Sequence, residues 1–510
     1  MAARQGFDVV VLGGGTAGAV VAARLSEDPA RRVLLVEAGP DYPAAETPEA
    51  VRGADFLRAA GLRQLRWPNI RALLTEAGPE RPYLCGRGIG GSSVINGQSA
   101  IRGLPDDFDR WGVPGWSWAD VAPVFQRLED DADFGDHPGH GTNGPVPVSR
   151  SPRHLWGTAS QALAAAAVGL GHAQDPDINS PGSTGVSPVA WNRRGGMRVS
   201  MKDAYIEPAR GRPNLCIRPD TLAVRLRFHQ DRFVGVDLAG ADGVDMVRAE
   251  CAVVCLGAVH SSALLLRSGV GPACDLRALG VPVVADVPGV GLHLQDHPTV
   301  WLRFPAGPDV SGAQAQSSPG HCALRFSSHT CGAPEDDLQI YVSDPSGTTA
   351  GVMAALLDPR STGRVRLRSA DPSAEPEVAF RMLAARADVD RMTASLMEAA
   401  RILEHPEFKA VMAGPARLAT TPVEEALADP DLPRLLRRAL VPYHHATGGC
   451  RMGSDAAAVL DPNGAVRGVA GVIVADASVM PRTVRAPTHL STVMIAERII
   501  SLMPTWNMRA

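Results

Sequence analysis

Two neighbouring imidazoles, His444 and His445, stand in the segment PYHHATGGCRMG, residues 442–453. A neutral imidazole, with an ordinary pKa of ~6.5, is the side chain best suited to take a proton at neutral pH. Two imidazoles can also hold a hydroxyl from both sides and stabilise a developing alkoxide. Adjacent side chains do not easily face one site, so the pair poses a choice. With Cys450 the same segment offers three ligand-type atoms, but no second cluster completes a metal set, and no metal is expected. The other conspicuous histidines, His293 and His297 in GLHLQDHP, read as loop structure.

Phosphate chemistry is written at the other end of the chain. In VVLGGGTAGAVVAARL the spacing Gly13-x-Gly15-x-x-Gly18 follows an apolar run and opens a helix-like stretch. Gly13 permits a tight turn, Gly15 lets the backbone approach a pyrophosphate, and Gly18 lets helix and strand pack closely. Thr16 and Ala17 stand at the entry to that helix, where free N–H groups and a partial positive charge meet the phosphates. Glu37, followed by Ala38, ends the next apolar run and is placed to accept ribose hydroxyls. An acid there disfavours a 2′-phosphate, so NADP fits poorly, while FAD and NAD both remain.

These residues need elements to hold them. Phe7–Leu12 and Val33–Val36 read as buried parallel strands around a helix at Ala17–Leu25, one βαβ unit. Residues 40–85 are punctuated by Arg and Pro and resist assignment. The text GDHPGHGTNGPVP, 135–147, is turn-forming and reads as a crossover between domains. Residues 161–170 are helical; 223–256 alternate as antiparallel strands and end in the apolar CAVVCLGA; SSALLLRSG is a helix with Gly269 beyond its end. Helical patterns return at 382–404 and in EEALADPDLPRLLRRAL, and the chain closes as strand, loop and helix. Dinucleotide-type signals thus recur near both termini and at 250–290, so the cofactor domain is expected to be assembled from discontinuous segments.

Bulk composition narrows the class. A chain of 510 residues exceeds a single core and predicts two connected domains. A net charge of −4 makes no case for nucleic acid. Lys202 and Lys409 are the only lysines. No apolar stretch is long enough for a membrane span, no secretion signal is evident, and eight scattered cysteines read as reduced thiols, so a cytoplasmic protein is expected.

A second glycine-dense stretch, GRGIGGSSVINGQSAIRG at 86–103, is too specific for a turn. Here the chain resembles the glucose–methanol–choline (GMC) oxidoreductase family. One pattern is Gly86–Asn96; a second is GAVHSSALLLRSGVG at 257–271. Further family-like phrases are KDAYIEPARGRPNL, LGVPVVADVPGVGLHLQDHP, STGRVRLRSADP, HATGGCRMG and VADASVMP, in order. The resemblance spans residue 7 to about 500, weakest at 40–80, 300–335 and 405–440.

The resemblance implies an α/β fold: a Rossmann-like FAD-binding domain of discontinuous segments, and a substrate domain with a mainly antiparallel sheet flanked by helices. The expected division assigns 1–150, 186–300 and 441–510 to the cofactor domain, and 151–185 and 301–440 to the substrate domain. It implies FAD rather than NAD. The flavin side of the cofactor falls to Arg87, Gly90, Gly91, Ser92, Asn96 and Gly97, the adenine to Val224, and the ribityl or pyrophosphate region to Gly257, Asp476 and Ala477. In some members a histidine just before the family's asparagine bonds to the flavin; Ile95 stands there, so FAD is expected to be non-covalent. Anchoring on CRMG places His445 at the family's catalytic histidine. Counting back from MIAE places His489 at the second position, also near the flavin, a His/His arrangement. Ala486-Pro487 departs from the Gly-Asn often found before that position.

The implied activity is oxidation of a small-molecule alcohol to an aldehyde or ketone by hydride transfer to flavin N5 with a histidine base. The same scaffold also serves hydroxynitrile lyases and flavin-holding proteins without turnover. A quinone, a redox protein, a mycofactocin-like cofactor or oxygen is the external acceptor, with slow use of oxygen expected. No carboxylate cage or tryptophan-rich wall is evident, so choline is not indicated.

Overall fold

The computed structural model of the chain describes residues 6–307, 310, 320–344 and 348–503. Its centre is a five-stranded parallel sheet in the order Leu215–Arg218, Val33–Val36, Phe7–Leu12, Ala249–Val254, Val472–Val474. Strands from three distant stretches of sequence thus share one sheet, because the runs Val9–Leu12, Val33–Val36, Cys251–Val254 and Val472–Val474 are buried throughout and need cover from both sides. The first strand leads into the helix Thr16–Leu25, one residue earlier than the apolar pattern predicts. That helix packs on the C-terminal helix Thr488–Leu502, and the Arg24 guanidinium Nε meets Glu497 at 2.9 Å.

One expectation is corrected here. Leu222–His229, Arg232–Gly240 and Gly243–Val247 are antiparallel, as the alternation predicts, but Ala249–Val254 runs parallel to Phe7–Leu12. Its last four residues are wholly buried, and a two-sided apolar strand belongs in the covered parallel sheet rather than in a half-exposed meander.

The second body is an eight-stranded antiparallel sheet built on Pro298–Pro305, Cys322–Phe326, Leu338–Ser343 and Thr349–Leu356, with Gly185–Pro188 at one edge and short strands from 417–442 at the other. Alternation divides its faces. Cys322, Leu324, Ile340, Val342, Val352 and Ala354 pack beneath the helices Thr158–Gly169 and Arg386–Glu404. Ala323, Tyr341, Met353 and Ala355 join the core of the parallel-sheet body instead. This second face looks toward the nucleotide-type sheet. The architecture is therefore mixed α/β, with a Rossmann-like domain and an antiparallel domain.

The segment 40–85 resolves into short pieces, including the helices Glu49–Arg52 and Phe56–Gly61 and the strands Arg71–Leu73 and Glu80–Pro82. The turn-rich 135–147 stretch is anchored by His140, whose ring lies 2.7 Å from Glu129, 3.3 Å from Asp131 and 3.0 Å from Asp177. Arg102 and Arg150 complete this buried network. Burial opposes charge on His140, but its bonds to Asp131, Asp177 and Glu129 outweigh burial and raise it to about 10. The imidazolium is therefore structural, and its stabilising share is present below pH ~6.5 and lost as pH rises through that raised value. Among the described residues no helix is long and apolar enough to cross a membrane.

Candidate active site

The glycine turn does what its spacing predicts. Gly13 adopts φ +97°, and a Cβ on Gly18 would lie 1.7 Å from the Gly13 carbonyl oxygen. Helix Thr16–Leu25 starts at Gly15 with no side chain capping it, which leaves the first turn open to an anion. The second glycine loop is pressed against the first: Gly90 N–H donates to the Gly14 carbonyl at 2.7 Å, and a Cβ on Gly91 would come within 2.6 Å of Gly15 Cα. Two backbones this close leave a cradle that side chains would fill.

Glu37 joins both loops. Its carboxylate accepts N–H bonds from Gly14 at 2.8 Å and from Gly39 and Gly88 at 2.9 Å each. Burial pushes this carboxyl up, against those three bonds. Three of about four lone-pair directions are occupied, leaving about one for the ribose contact the sequence predicts. Arg87 donates to the Ala38 carbonyl at 2.8 Å, and Ser92 Oγ accepts from Gly86 N–H at 3.0 Å. Asn96 Oδ1 accepts from Gln98 N–H and from Arg198 Nη1, while a Cβ on Gly97 would meet nothing within 4 Å.

Gly257 and Asp476 are brought together: Asp476 accepts from Gly257 N–H at 2.7 Å, Ser261 Oγ at 2.6 Å and Ser478 N–H at 2.8 Å. Burial pushes its carboxyl up against these bonds. The Ala477 carbonyl accepts Gly448 N–H at 3.2 Å, tying this end to the segment after His445. The Val224 carbonyl accepts Arg267 Nε at 3.3 Å. Ile95 is buried with Val51, Ala59, Leu65 and Val94 and presents no nucleophilic atom.

At the other end, the choice between adjacent histidines is made by geometry. His444 takes φ +66°, and its Nδ1 accepts Leu84 N–H at 3.3 Å, with the ring 4.9 Å from Tyr83. His445 turns the other way. Its ring stacks on Tyr443 at 4.1 Å, and its Nδ1 lies 3.0 Å from Nδ1 of His297. His297 lies in a loop, as the sequence predicts, and from that loop it contacts His445. It is fully buried, and its Nε2 lies 3.0 Å from the Val484 carbonyl. His293 lies in the short strand Leu292–Leu294 at φ +60°.

This chain of contacts assigns protons. The Val484 carbonyl only accepts, so His297 Nε2 carries the hydrogen. Burial lowers His297 to about 4, so at neutral pH the ring is neutral and its Nδ1 is an acceptor. His445 must then donate from Nδ1, which leaves the lone pair on His445 Nε2. Burial, with His297 and His444 nearby, holds His445 well below its ordinary value.

Asp296 sets the backbone of this cluster. Oδ1 accepts N–H from His297 at 2.8 Å and His445 at 2.9 Å; Oδ2 accepts N–H from His444 at 3.1 Å and the Tyr83 hydroxyl at 2.8 Å. Burial pushes its carboxyl up to about 7, against three backbone N–H bonds and the Tyr83 hydroxyl, which favour the ionised form. The ionised form matches the geometry. Asp296, His297 and His445 lie close enough to hold an ion, but each ligand-type atom except His445 Nε2 already has a hydrogen-bond role.

Val484 also begins the approach to His489, which sits in the first turn of helix Thr488–Leu502 after the buried Ala486. His489 Nε2 is buried with no partner among the described residues, and burial lowers the ring to about 4 with a contribution from Arg198. Arg198 itself was not foreseen. It clasps the second glycine loop through the Ser93 and Asn96 carbonyls, and burial lowers it to about 9. Asp296 and His297 were visible only as part of the phrase LQDHP, and nothing in that phrase shows which groups lie opposite.

A glycine-rich turn of dinucleotide-binding type and, in a distant segment, an imidazole whose hydrogen bonds leave a lone pair on Nε2 are features that fit a cofactor-dependent oxidoreductase. The open helix start, the apposed glycine backbones and the partnerless His489 Nε2 all fit a bound dinucleotide. Residues 7–299 and 359–496 match the family description GMC oxidoreductase. The 5-(hydroxymethyl)furfural oxidase of Methylovorus sp. (strain MP688) is 36% identical, over 98% of this chain and 99% of that one. The oxygen-dependent choline dehydrogenase of Pseudomonas aeruginosa (strain LESB58) is 32% identical, over 97% and 94%. The crystal structure of pyridoxine 4-oxidase from Mesorbium loti superposes with a TM-score of 0.89 at 30% identity, covering 97% of this chain and 98% of that one. The chain belongs to the GMC oxidoreductase family, and it is an FAD-dependent enzyme of the class acting on alcohols.

Proposed function

We propose that this enzyme oxidises an alcohol to an aldehyde or ketone with His445 Nε2 as the base. The observation that carries the reading is the hydrogen-bond chain Val484–His297–His445, which leaves that lone pair free. His445 takes the hydroxyl proton. His489 Nε2, partnerless and buried, is the second group offered to the oxygen, completing a His/His pair. FAD, when bound, supplies the acceptor for the hydride that leaves carbon. Gly13–Gly18 and Glu37 would hold its nucleotide end, and the 86–97 loop with Gly257 and Asp476 would hold the rest.

Anaerobic addition of an alcohol panel to the holoenzyme is expected to bleach the flavin. Cyanohydrin cleavage without bleaching would instead show a lyase, and neither response a binding role. The names of the three relatives favour oxygen over a quinone, redox protein or mycofactocin-like cofactor as acceptor, a departure from the slow use of oxygen expected from the sequence. In air, peroxide is then expected in step with aldehyde. With Ile95 at the attachment position, FAD is held without a covalent bond, and acid precipitation should leave the yellow colour in solution; a yellow pellet would refute this.

A further inference from the structure

Arg325 carries a cation that the proposed chemistry leaves unused. It lies in the strand Cys322–Phe326 and is 2% exposed. Nη1 donates to the Ser183 carbonyl at 3.3 Å, while Nε and Nη2 are buried without a partner among the described residues. Those two donors form one edge of the planar guanidinium, the edge that takes both oxygens of a carboxylate in parallel. Asp336, Asp107 and Asp175 attract the charge at longer range. Asp336 is engaged by Thr184 and Asp107 by Arg485, and among the described residues no carboxylate forms an ion pair with Arg325. A buried cation with a vacant fork costs folding free energy, so its retention needs a reason.

Strand alternation says where the side chain belongs. Cys322 and Leu324 face the helix-covered core, whereas Ala323 joins Tyr341, Met353 and Ala355 on the face toward the cofactor domain. Arg325 shares the parity of Ala323. Its partner across the strand pair is Gln339, and such partners lie side by side on one face. Gln339 Oε1 accepts the Tyr443 hydroxyl at 3.0 Å, and the Tyr443 ring stacks on His445. Gln339 and Tyr443 thus link the strand that carries Arg325 to the proposed base. On the other flank Arg325 pairs with Gly185, which adds no side chain to crowd it.

We infer that the Nε/Nη2 edge of Arg325 receives a carboxylate on the substrate, so the preferred alcohols carry an acid group at the end remote from the reacting hydroxyl. The inference rests on the alcohol-oxidising reading and names its substrate class. The same cation disfavours a quaternary ammonium alcohol.

The test compares 4-(hydroxymethyl)benzoate with 4-methylbenzyl alcohol, similar in shape and different in charge, by anaerobic flavin reduction in the holoenzyme. The acid is expected to have the higher second-order reduction constant by at least about tenfold, and Arg325→Met is expected to collapse that ratio. Arg325→Lys, keeping charge without the fork, should retain part of it. Benzoate, which cannot be oxidised at this site, is titrated separately against the oxidised flavin spectrum. It should bind at least about tenfold more weakly to Arg325→Met than to wild type. If no alcohol reduces the flavin, the functional reading fails, and the benzoate titration still decides the role of Arg325. A wild-type ratio at or below one, or equal benzoate affinity in wild type and variant, overturns the proposal. Should Arg325→Met not hold FAD, the wild-type ratio and the lysine variant decide it.

Discussion

Replacing His445 with alanine is expected to slow anaerobic reduction of the flavin by alcohol about 10²- to 10⁴-fold, roughly 3–5 kcal/mol of barrier. FAD content should stay near wild type, because the imidazole bonds to His297 and stacks on Tyr443 and is tied by its side chain to none of the cradle glycines. The pH dependence gives a second check. The working form of His445 is neutral, and its pKa is held down by burial first and by His297 and His444 next. A depressed pKa keeps the base available as pH falls, so the acid limb of kcat/KM should lie below the ~6.5 of a free imidazole. An alanine variant that reduces at the wild-type rate, or an acid limb above that value, would remove His445 as the base.

His297 is expected to matter nearly as much without touching substrate. Phenylalanine there keeps the bulk but deletes both ring nitrogens, so the Val484 carbonyl and His445 Nδ1–H lose their partner. His445 is then free to hold its proton on Nε2, the wrong atom for a base. Losing the group that holds a catalytic imidazole in one tautomer costs roughly 10²- to 10⁴-fold in kcat. The loss should fall on the reduction rate rather than on KM. His297→Asn, whose side-chain oxygen can stand where Nδ1 stood, is expected to restore most of it. If phenylalanine and asparagine slow reduction equally, the role is packing alone. His297 also makes stability depend on pH: unfolded it binds a proton near 6.5, folded only near about 4 because of burial. Its contribution therefore rises with pH through that window and is lost as the solution is acidified.

How much of this was legible in the residues depends on the range of the interaction. Phe7–Leu12, Val33–Val36 and the glycine turn between them appear where the pattern places them. Strand, turn and helix there are neighbours in sequence, and steric demands at Gly13 and Gly18 admit few other residues. The direction of Ala249–Val254 was misread, because an apolar run does not say which strand lies beside it. The contacts of His297 are hidden for a related reason. Surrounded by turn-forming residues it looks like a loop, and its chemistry arises from His445, 148 positions away, and Val484, 187 positions away. The vacant fork of Arg325 was likewise invisible, since a partner's absence is a fact about three dimensions.

The sequence by itself therefore determined the cofactor class and the family. Phosphate recognition uses backbone, and the glycines that expose backbone must recur at fixed local spacing. Only the tertiary structure decided which of two adjacent histidines offers a lone pair, and on which nitrogen. That depends on a carbonyl, a second imidazole and the carboxylate of Asp296 converging from separate segments, and hydrogen-bond direction exists only once they have met.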